Sequence, residues 1–140
     1  MIVLDTSGLL AAIDAKQARH RDAKQALDTD PGPYVLSPFV LAEMDYLLQT
    51  KVGTAGELLF LSEVAKGAYR LEPFGAADVE DAARVIGRYR DLGVGLADAS
   101  IVVLAARVGT NRVLTLDERH FRAMRPLRGR SFTLLPADTQ

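Results

Sequence analysis

Four carboxylates are the residues of this sequence whose types and positions best suit chemistry: Asp5, Glu43, Asp98 and Asp117. Two like charges about 4 Å apart repel by roughly 1 kcal/mol in water and about 4 kcal/mol at an effective dielectric of about 20. A set of acids that converges in a fold therefore needs a cation. Oxygen ligands favour magnesium or manganese over zinc. A divalent cation held in a pocket is typical of hydrolytic enzymes.

An α/β fold would bring these carboxylates to one place. The sequence predicts strands near residues 2–4, 34–36, 68–71, 112–115 and 132–135, alternating with helices near 6–15, 19–27, 38–51, 56–66, 76–89 and 97–108. Ligands of parallel sheets bind beyond the carboxyl ends of the strands, where the following helices also begin. We expect a three-layer α/β/α sandwich around a mainly parallel sheet, forming one domain over residues 1–136 with a short tail at 137–140.

Composition excludes several classes of protein. The 140 residues are 49% hydrophobic and 25% charged, as in an ordinary globular domain. The absence of cysteine excludes disulfides, thiolate metal sites and cysteine catalysis, and suits a reducing cytoplasm. No apolar run approaches the roughly 18 residues of a membrane span, so we expect a cytoplasmic protein. No glycine-rich phosphate-binding loop follows the first strand.

Each acid taken alone also has a structural explanation. Asp5 suits a helix N-cap, Asp98 suits the first turn of a helix, and Asp117 suits a turn. Glu43 has the least comfortable structural role, because it shares a helical face with apolar residues such as Phe39. A glutamate buried there would need a partner, which a metal ion or a bound water would supply.

Other polar groups lie near the acids in sequence. The hydroxyls of Ser7 and Thr115 are placed to orient ligands or water. His120 follows Asp117 closely and is a candidate for a phosphate contact. Seven arginines form a basic segment that is either a phosphate-binding patch or a solvated surface. They are Arg107, Arg112, Arg119, Arg122, Arg125, Arg128 and Arg130.

Four short motifs, taken together, resemble those of a known family. They are Val3-Leu4-Asp5-Thr6-Ser7, Ser37-Pro38 followed by Ala42-Glu43, Leu96-Ala97-Asp98-Ala99-Ser100-Ile101, and Leu114-Thr115-Leu116-Asp117. In this order and at these spacings the chain is similar to the PIN-domain ribonucleases, and most closely to the VapC toxins of bacterial VapBC toxin–antitoxin pairs. The resemblance runs from Met1 to about Pro136.

The resemblance implies a PIN-like sandwich and a magnesium- or manganese-dependent endoribonuclease that inhibits translation and growth. It assigns metal binding to the four acids. Asp5 and Asp98 would bind directly, whereas Glu43 and Asp117 would bind directly or through water. The fourth acid, Asp117, stands at the position that varies most within the family.

The resemblance also implies partners. These are an RNA substrate, a cognate VapB-like antitoxin, and a second copy in a homodimer or a toxin–antitoxin hetero-oligomer. Arg19, Arg119 and Arg122 are candidate RNA contacts. A candidate docking surface, which core packing alone would also explain, is formed by apolar residues of two successive helices. They are Phe39, Val40, Leu47, Leu48, Leu58, Leu59 and Leu61.

Two other functions compete with the nuclease. The first is a phosphatase or receiver-like domain that uses Asp5 as nucleophile or phosphoacceptor. A serine, Ser7, stands where such a phosphatase has a second aspartate, and no lysine follows a late strand as a receiver requires. The second is a non-catalytic module that uses the PIN fold to bind RNA or protein, and the intact set of acids argues against it.

Overall fold

Five short strands form one parallel sheet at the centre of the protein. The structure, a computed structural model, describes residues 1–139. Its strands are β1 (Ile2–Leu4), β2 (Tyr34–Leu36), β3 (Arg70–Leu71), β4 (Arg112–Leu114) and β5 (Thr133–Leu135). Their order across the sheet is β3-β2-β1-β4-β5, and each neighbouring pair is parallel. Residues that follow β1 and β4 therefore meet near the middle of the carboxyl edge.

Helices cover both faces of this sheet. They are α1 (Thr6–Ile13), α2 (His20–Thr29), α3 (Pro38–Lys51), α4 (Thr54–Ala65), α5 (Ala76–Arg88), α6 (Leu96–Val108) and α7 (Glu118–Ala123), with a 3₁₀ turn at Arg90–Leu92. The three residues of β1 are fully buried, as a strand covered on both faces requires. No helix among residues 1–139 is both long enough and apolar enough to cross a membrane.

The chain after β5, where the sequence predicts a short tail at 137–140, folds back against the domain. Residues 136–138 form a turn. The carboxylate of Asp138 accepts a hydrogen bond from the backbone N–H of Leu134 at 2.8 Å and pairs with Arg122 at 2.6 Å. These contacts fold the segment back onto β5 and α7, a return that a terminal run of small polar residues does not reveal. Gln140 lies outside the described residues.

A glycine allows the first helix to approach the sheet closely. A Cβ atom added at Gly8 would lie 2.5 Å from the backbone carbonyl carbon and oxygen of Leu114. Such a contact is impossible without displacing the backbone of β4 or α1. Gly8 therefore allows the first turn of α1 to lie against the end of β4, which brings Ser7 to the residues that follow this strand.

Asp30 connects the segments at which β1, β2 and β4 begin, at the amino edge of the sheet. Its fully buried carboxylate contacts the amino group of Met1 at 3.1 Å and the guanidinium of Arg112 at 3.0 Å. It also accepts a hydrogen bond from the backbone N–H of Gly32 at 2.8 Å. Burial acts to raise the pKa of Asp30, but these donors and cations outweigh it and hold the pKa below its ordinary value. This buried acid is thus fully compensated by its neighbours.

Candidate metal centre

The four carboxylates line one cavity of about 500 Å³ at the carboxyl edge of the sheet. Asp5 directly follows β1, and Asp117 follows the neighbouring β4. Asp98 lies in the first turn of α6, and Glu43 lies in α3. Residues that are distant in the chain therefore meet because parallel strands end, and the following helices begin, at one edge.

Helices α3 and α6 begin side by side. The buried hydroxyls of Ser37, the N-cap of α3, and Ser100 in α6 lie 2.7 Å apart. Ser37 also accepts a hydrogen bond from the backbone N–H of Phe39, so it fixes the start of its helix. This pairing sets the relative positions of Glu43 and Asp98 on their two helices.

Glu43 is exposed, so its predicted burial on an apolar face is wrong. The buried stripe of α3 consists of Val40, Met44 and Leu48, and Glu43 lies at its border. The hydroxyl of Thr6 donates a hydrogen bond to Oε1 of Glu43 at 2.6 Å, which orients the carboxylate in the cavity. An exposed glutamate with one hydroxyl partner needs no metal for its own stability.

Asp5 is the buried acid of the site, with 5% of its surface exposed. Its Oδ2 accepts hydrogen bonds from the hydroxyls of Thr115 at 2.6 Å and Ser7 at 3.0 Å. Although Asp5 occupies the N-cap position of α1, its side chain makes no capping hydrogen bond. The carboxylate is therefore held for a purpose other than helix capping.

The two hydroxyls that hold Asp5 are themselves fixed by the chain after β4. Ser7 Oγ accepts from the backbone N–H of Leu116 at 2.9 Å, and Thr115 Oγ1 accepts from that of Asp117 at 2.9 Å. Each hydroxyl has one proton, and in this arrangement it is donated to Asp5. The 3.3 Å approach between the two hydroxyls is then a contact without a hydrogen bond. The orientation of Asp5, which follows β1, thus depends on the backbone of the residues that follow the neighbouring strand β4.

Asp5 differs from the buried Asp30 in having no cation beside it among the described residues. Burial raises the pKa of Asp5 to about 6, and the charge of Asp98 adds to the shift. The hydrogen bonds from Thr115 and Ser7 only partly offset this rise. The cavity therefore contains an uncompensated negative charge, which a bound cation would neutralise.

His120 joins two of the acids to a neighbouring loop. Its Nδ1 lies 3.0 Å from Oδ2 of Asp98 and 3.0 Å from Oδ2 of Asp117. Its Nε2 lies 3.1 Å from the carbonyl oxygen of Leu92. A carbonyl oxygen only accepts, so Nε2 carries a proton and donates it there. The ring therefore fixes the two carboxylates relative to the 3₁₀ turn.

Asp98, Asp117 and His120 offer ligand atoms that all lie within 4.8 Å of one another, close enough to hold a metal ion. Burial raises the pKa of Asp98, and the neighbouring His120 opposes this shift. The ring of His120 is already engaged at both nitrogens, so we consider the carboxylate oxygens the better metal ligands. Hard oxygen donors with retained waters are the ligands that magnesium and manganese prefer.

The three predicted RNA contacts have different surroundings. Arg19 lines another cavity, between α2 and the turn after β5, and pairs loosely with Asp22 at 3.4 Å. Arg122 is bound to Asp138. Arg119 is exposed in the first turn of α7 and has no ion-pair partner among residues 1–139. Of the three, Arg119 is therefore the arginine that is most available to a ligand.

Sequence reasoning missed two residues of the site and did not find the contacts of a third. It left the role of His120 open, because α7 has only six residues and its contact with Asp98 joins positions 22 apart. It did not identify Tyr46 and Gln17, which line the same cavity. The spacing of Tyr46, three residues after Glu43, is the one signal that points to the same helical face.

Comparisons with known proteins agree with this architecture. The family model of the PIN domain matches residues 2–125. Ribonuclease VapC26 of Mycobacterium tuberculosis is 47% identical over 135 residues, which cover 96% of this chain and all of the relative. The resemblance found in the four motifs is thus confirmed over nearly the whole chain.

Two solved structures are similar in fold. The crystal structure of VapC20 of Mycobacterium tuberculosis, a toxin that cleaves the sarcin–ricin loop, matches with a TM-score of 0.80 at 23% identity, covering 92% of this chain and all of that one. A toxin–antitoxin complex from Klebsiella pneumoniae matches with a TM-score of 0.64 at 18% identity, covering 92% of this chain and 97% of that one. Both confirm the predicted parallel sandwich.

Proposed function

Because this chain belongs to the PIN-domain family, we propose that it is a metal-dependent endoribonuclease and the toxin of a type II toxin–antitoxin pair. The observation that carries this proposal is the convergence of four carboxylates from four different elements on one cavity. The 47% identity to a VapC ribonuclease supports the substrate class. Residues 1–136 would form one PIN-like domain that acts on cytoplasmic RNA and thereby inhibits translation and growth.

We assign the metal site to the four acids. Asp5 and Asp98 would bind magnesium or manganese directly, because both line the cavity and burial raises the pKa of each carboxyl, so the protein alone does not fully stabilise the two charges. Asp117 and Glu43 would bind directly or through water. The chemistry of the donor set fits the cation, since carboxylate oxygens are its preferred ligands. A divalent cation stabilises negative charge on a phosphate and promotes the ionisation of water.

The remaining steps belong to the protein's own residues. Ser7 and Thr115 keep Asp5 in one orientation, and His120 does the same for Asp98 and Asp117. Glu43 has one carboxylate oxygen bound to Thr6 and the other free of protein partners among the described residues. That free oxygen would accept the proton of the water that attacks the phosphodiester. The water oxygen would form a new bond to phosphorus as the bond to the leaving ribose oxygen breaks. That oxygen would take up a proton from solvent, which leaves one RNA end with the phosphate and the other with a hydroxyl.

The residue at position 7 argues against the aspartate-nucleophile alternative. Ser7 stands where such a phosphatase has a second aspartate, and its hydroxyl is engaged with Asp5 and with the backbone N–H of Leu116. The site therefore lacks the second carboxylate that this chemistry uses. The non-catalytic alternative predicts that the purified protein cuts no RNA with either magnesium or manganese.

Purified protein, free of antitoxin, should cut RNA only when a divalent cation is present. We expect cleavage with magnesium or manganese, loss of cleavage with a chelator, and recovery when the cation is restored, because the acids alone repel the phosphate. Gel analysis of a total-RNA digest, followed by sequencing of the new 5′ ends, measures this. Cation-independent cleavage would refute the metal mechanism, and calorimetry showing no site at millimolar magnesium would favour a non-catalytic module.

We further propose that the exposed face of α4 binds a VapB-like antitoxin. Leu58 and Leu59 are 59% and 63% exposed, and neighbouring Val52 is 51% exposed. Two residues of the predicted docking surface, Val40 and Leu48, are instead buried in the core, so they are not part of this face. A second cavity of about 260 Å³ lies between the end of α1 and the helices α3 and α4, and its lining includes Leu59 and Phe60. An apolar helix face beside a groove suits an amphipathic partner.

Charge placed on this face should separate antitoxin binding from catalysis. Leu58→Asp with Leu59→Asp should weaken antitoxin binding by about 30-fold or more, as truncation of central apolar contacts does. RNA cleavage should be unchanged, and Val79→Asp, an exposed apolar position on α5, should bind antitoxin normally. Calorimetric titration with the antitoxin measures binding by both variants, and the RNA digest measures their cleavage. Wild-type affinity in the double variant would place the antitoxin elsewhere.

A further inference from the structure

We propose that the apolar half of the catalytic cavity is a binding site for one RNA base next to the cleaved phosphate, formed chiefly by Tyr46 and Gln17. The inference rests on the proposed ribonuclease function and adds to it the residues that select the sequence cut. The cavity is lined by acids and by apolar side chains together. The acids suit the phosphate and its cation, whereas the apolar part needs a different ligand.

On α1 and α3, apolar lining residues lie about one helical turn beyond the polar residues of the site. On α1, Leu10 follows Thr6 by one turn, and on α3 Tyr46 and Leu47 follow Glu43 by about one turn. One turn advances about 5 Å along a helix axis. The cavity therefore extends between α1 and α3, away from the acids. A nucleotide has the same arrangement, with a charged phosphate at one end and a flat apolar base at the other.

Tyr46 is exposed to an extent that core packing does not explain. Its ring lines the cavity, yet 65% of the residue's surface is accessible. Its hydroxyl has no hydrogen-bond partner among residues 1–139. Single-stranded RNA is recognised mainly by stacking of unpaired bases on such aromatic side chains. The ring is thus free to stack on a base.

Gln17 supplies a polar group for the edge of that base. Its Nε2 donates a hydrogen bond to Oδ2 of Asp14 at 3.1 Å, and its backbone N–H donates to the carbonyl of Asp14 at 3.0 Å. These bonds hold the side chain at the rim of the cavity and leave its Oε1 without a partner in the described part of the chain. A carbonyl oxygen held there accepts a hydrogen bond from an amino or imino group of a base.

The size of the cavity is also suitable. Its volume of about 500 Å³ lies within the range of roughly 300–1,000 Å³ that is usual for small-ligand sites. Leu10, Leu47 and Leu116 complete its apolar lining. An apolar lining with one fixed amide, that of Gln17, resembles nucleotide sites in which stacking supplies the affinity. In such sites one polar contact supplies the preference for one base over another.

The test uses the purified full-length protein, manganese and a pool of short single-stranded RNAs of random sequence. We expect Tyr46→Ala to lower kcat/KM by about 5- to 150-fold, the range for losing one stacked base, with most of the change in KM. Tyr46→Phe should stay near wild type because it keeps the ring. Gln17→Ala should flatten the base preference at one position beside the cut, as read by sequencing the new ends.

Controls separate this role from a structural one. Leu127→Ala removes an exposed apolar side chain, 49% accessible, that does not line the cavity, and should change neither rate nor preference. Tyr46→Ala should retain the wild-type stabilisation by manganese in thermal unfolding, because the acids are intact.

The outcomes distinguish the two proposals. Wild type that cuts no RNA with either metal overturns the ribonuclease proposal and this inference with it. Wild type that cuts, with unchanged kinetics in Tyr46→Ala and an unchanged base preference in Gln17→Ala, overturns the base site alone. Normal cleavage by Tyr46→Ala with weakened antitoxin inhibition would assign the apolar half to the protein partner, and would also overturn the inference.

Discussion

Asp98→Asn should lower the rate of RNA cleavage by about 10³-fold or more while leaving the fold intact. Asp98 contributes a carboxylate with a raised pKa to the cavity and is oriented by His120. Asparagine has the same shape but no charge, so it weakens cation binding. The electrostatic stabilisation that a cation supplies amounts to several kcal/mol, and each 1.4 kcal/mol or so corresponds to about tenfold in rate.

A matched control for this variant is Asp91→Asn. Asp91 is an exposed aspartate in the 3₁₀ turn, close in sequence to the site but absent from the cavity lining. It should cleave RNA at the wild-type rate. Single-turnover kinetics at saturating manganese, together with calorimetric titration of the metal, measure both variants. If Asp98→Asn cleaves as fast as wild type, the proposed metal mechanism is wrong.

Asp5→Asn should stabilise the protein above about pH 6 in the absence of metal, although it abolishes activity. The pKa of Asp5 rises from 3.8 to about 6 on folding, which corresponds to about 3 kcal/mol between its two protonation states. Because the folded pKa is the higher one, the folded state binds more protons than the unfolded state between these values. Stability therefore falls as pH rises from about 4 to 6 and stays low above that.

The stabilisation by Asp5→Asn should consequently depend on pH. We expect a gain of up to about 3 kcal/mol in the free energy of unfolding at pH 8, and almost none at about pH 3 or below, where the aspartate is largely protonated in both the folded and the unfolded state. Denaturant titrations with chelator present measure this. Asp30→Asn is a control of opposite sign, because the pKa of Asp30 is lowered on folding and its charge stabilises the protein. An equal gain at both pH values would refute ionisation as the cause.

The sequence predicts the architecture of this site better than its details. Asp5 and Asp117 follow buried apolar runs, so the rule for parallel sheets is enough to place both carboxylates at one edge. The strand order, with β1 between β2 and β4, depends on contacts between distant residues that no local pattern contains. The order explains why Thr115 and Ser7 meet at Asp5.

The errors of prediction have a common physical origin in tertiary packing. The sequence pattern suggests that the face of α3 with Glu43 is buried, because Phe39 and Leu47 lie on the same face. In the structure the buried residues of α3 form the adjacent stripe that includes Met44. Asp138 is held by Arg122, sixteen residues earlier, and this contact has no local signature. Exposed residues such as Tyr46 acquire a role only from the cavity around them.

The hydrogen bond from Thr115 to Asp5 joins residues 110 positions apart, which has a consequence for synthesis of the protein. Protein chains are made from the amino terminus, so Asp5 leaves the ribosome long before Thr115 and Asp117. Until β4 emerges, the first acid lacks both its neighbouring strand and the hydroxyl that orients it. A partly made chain therefore has no assembled active site, and the ribosome that produces the toxin is not exposed to one until residues 112–117 have been made.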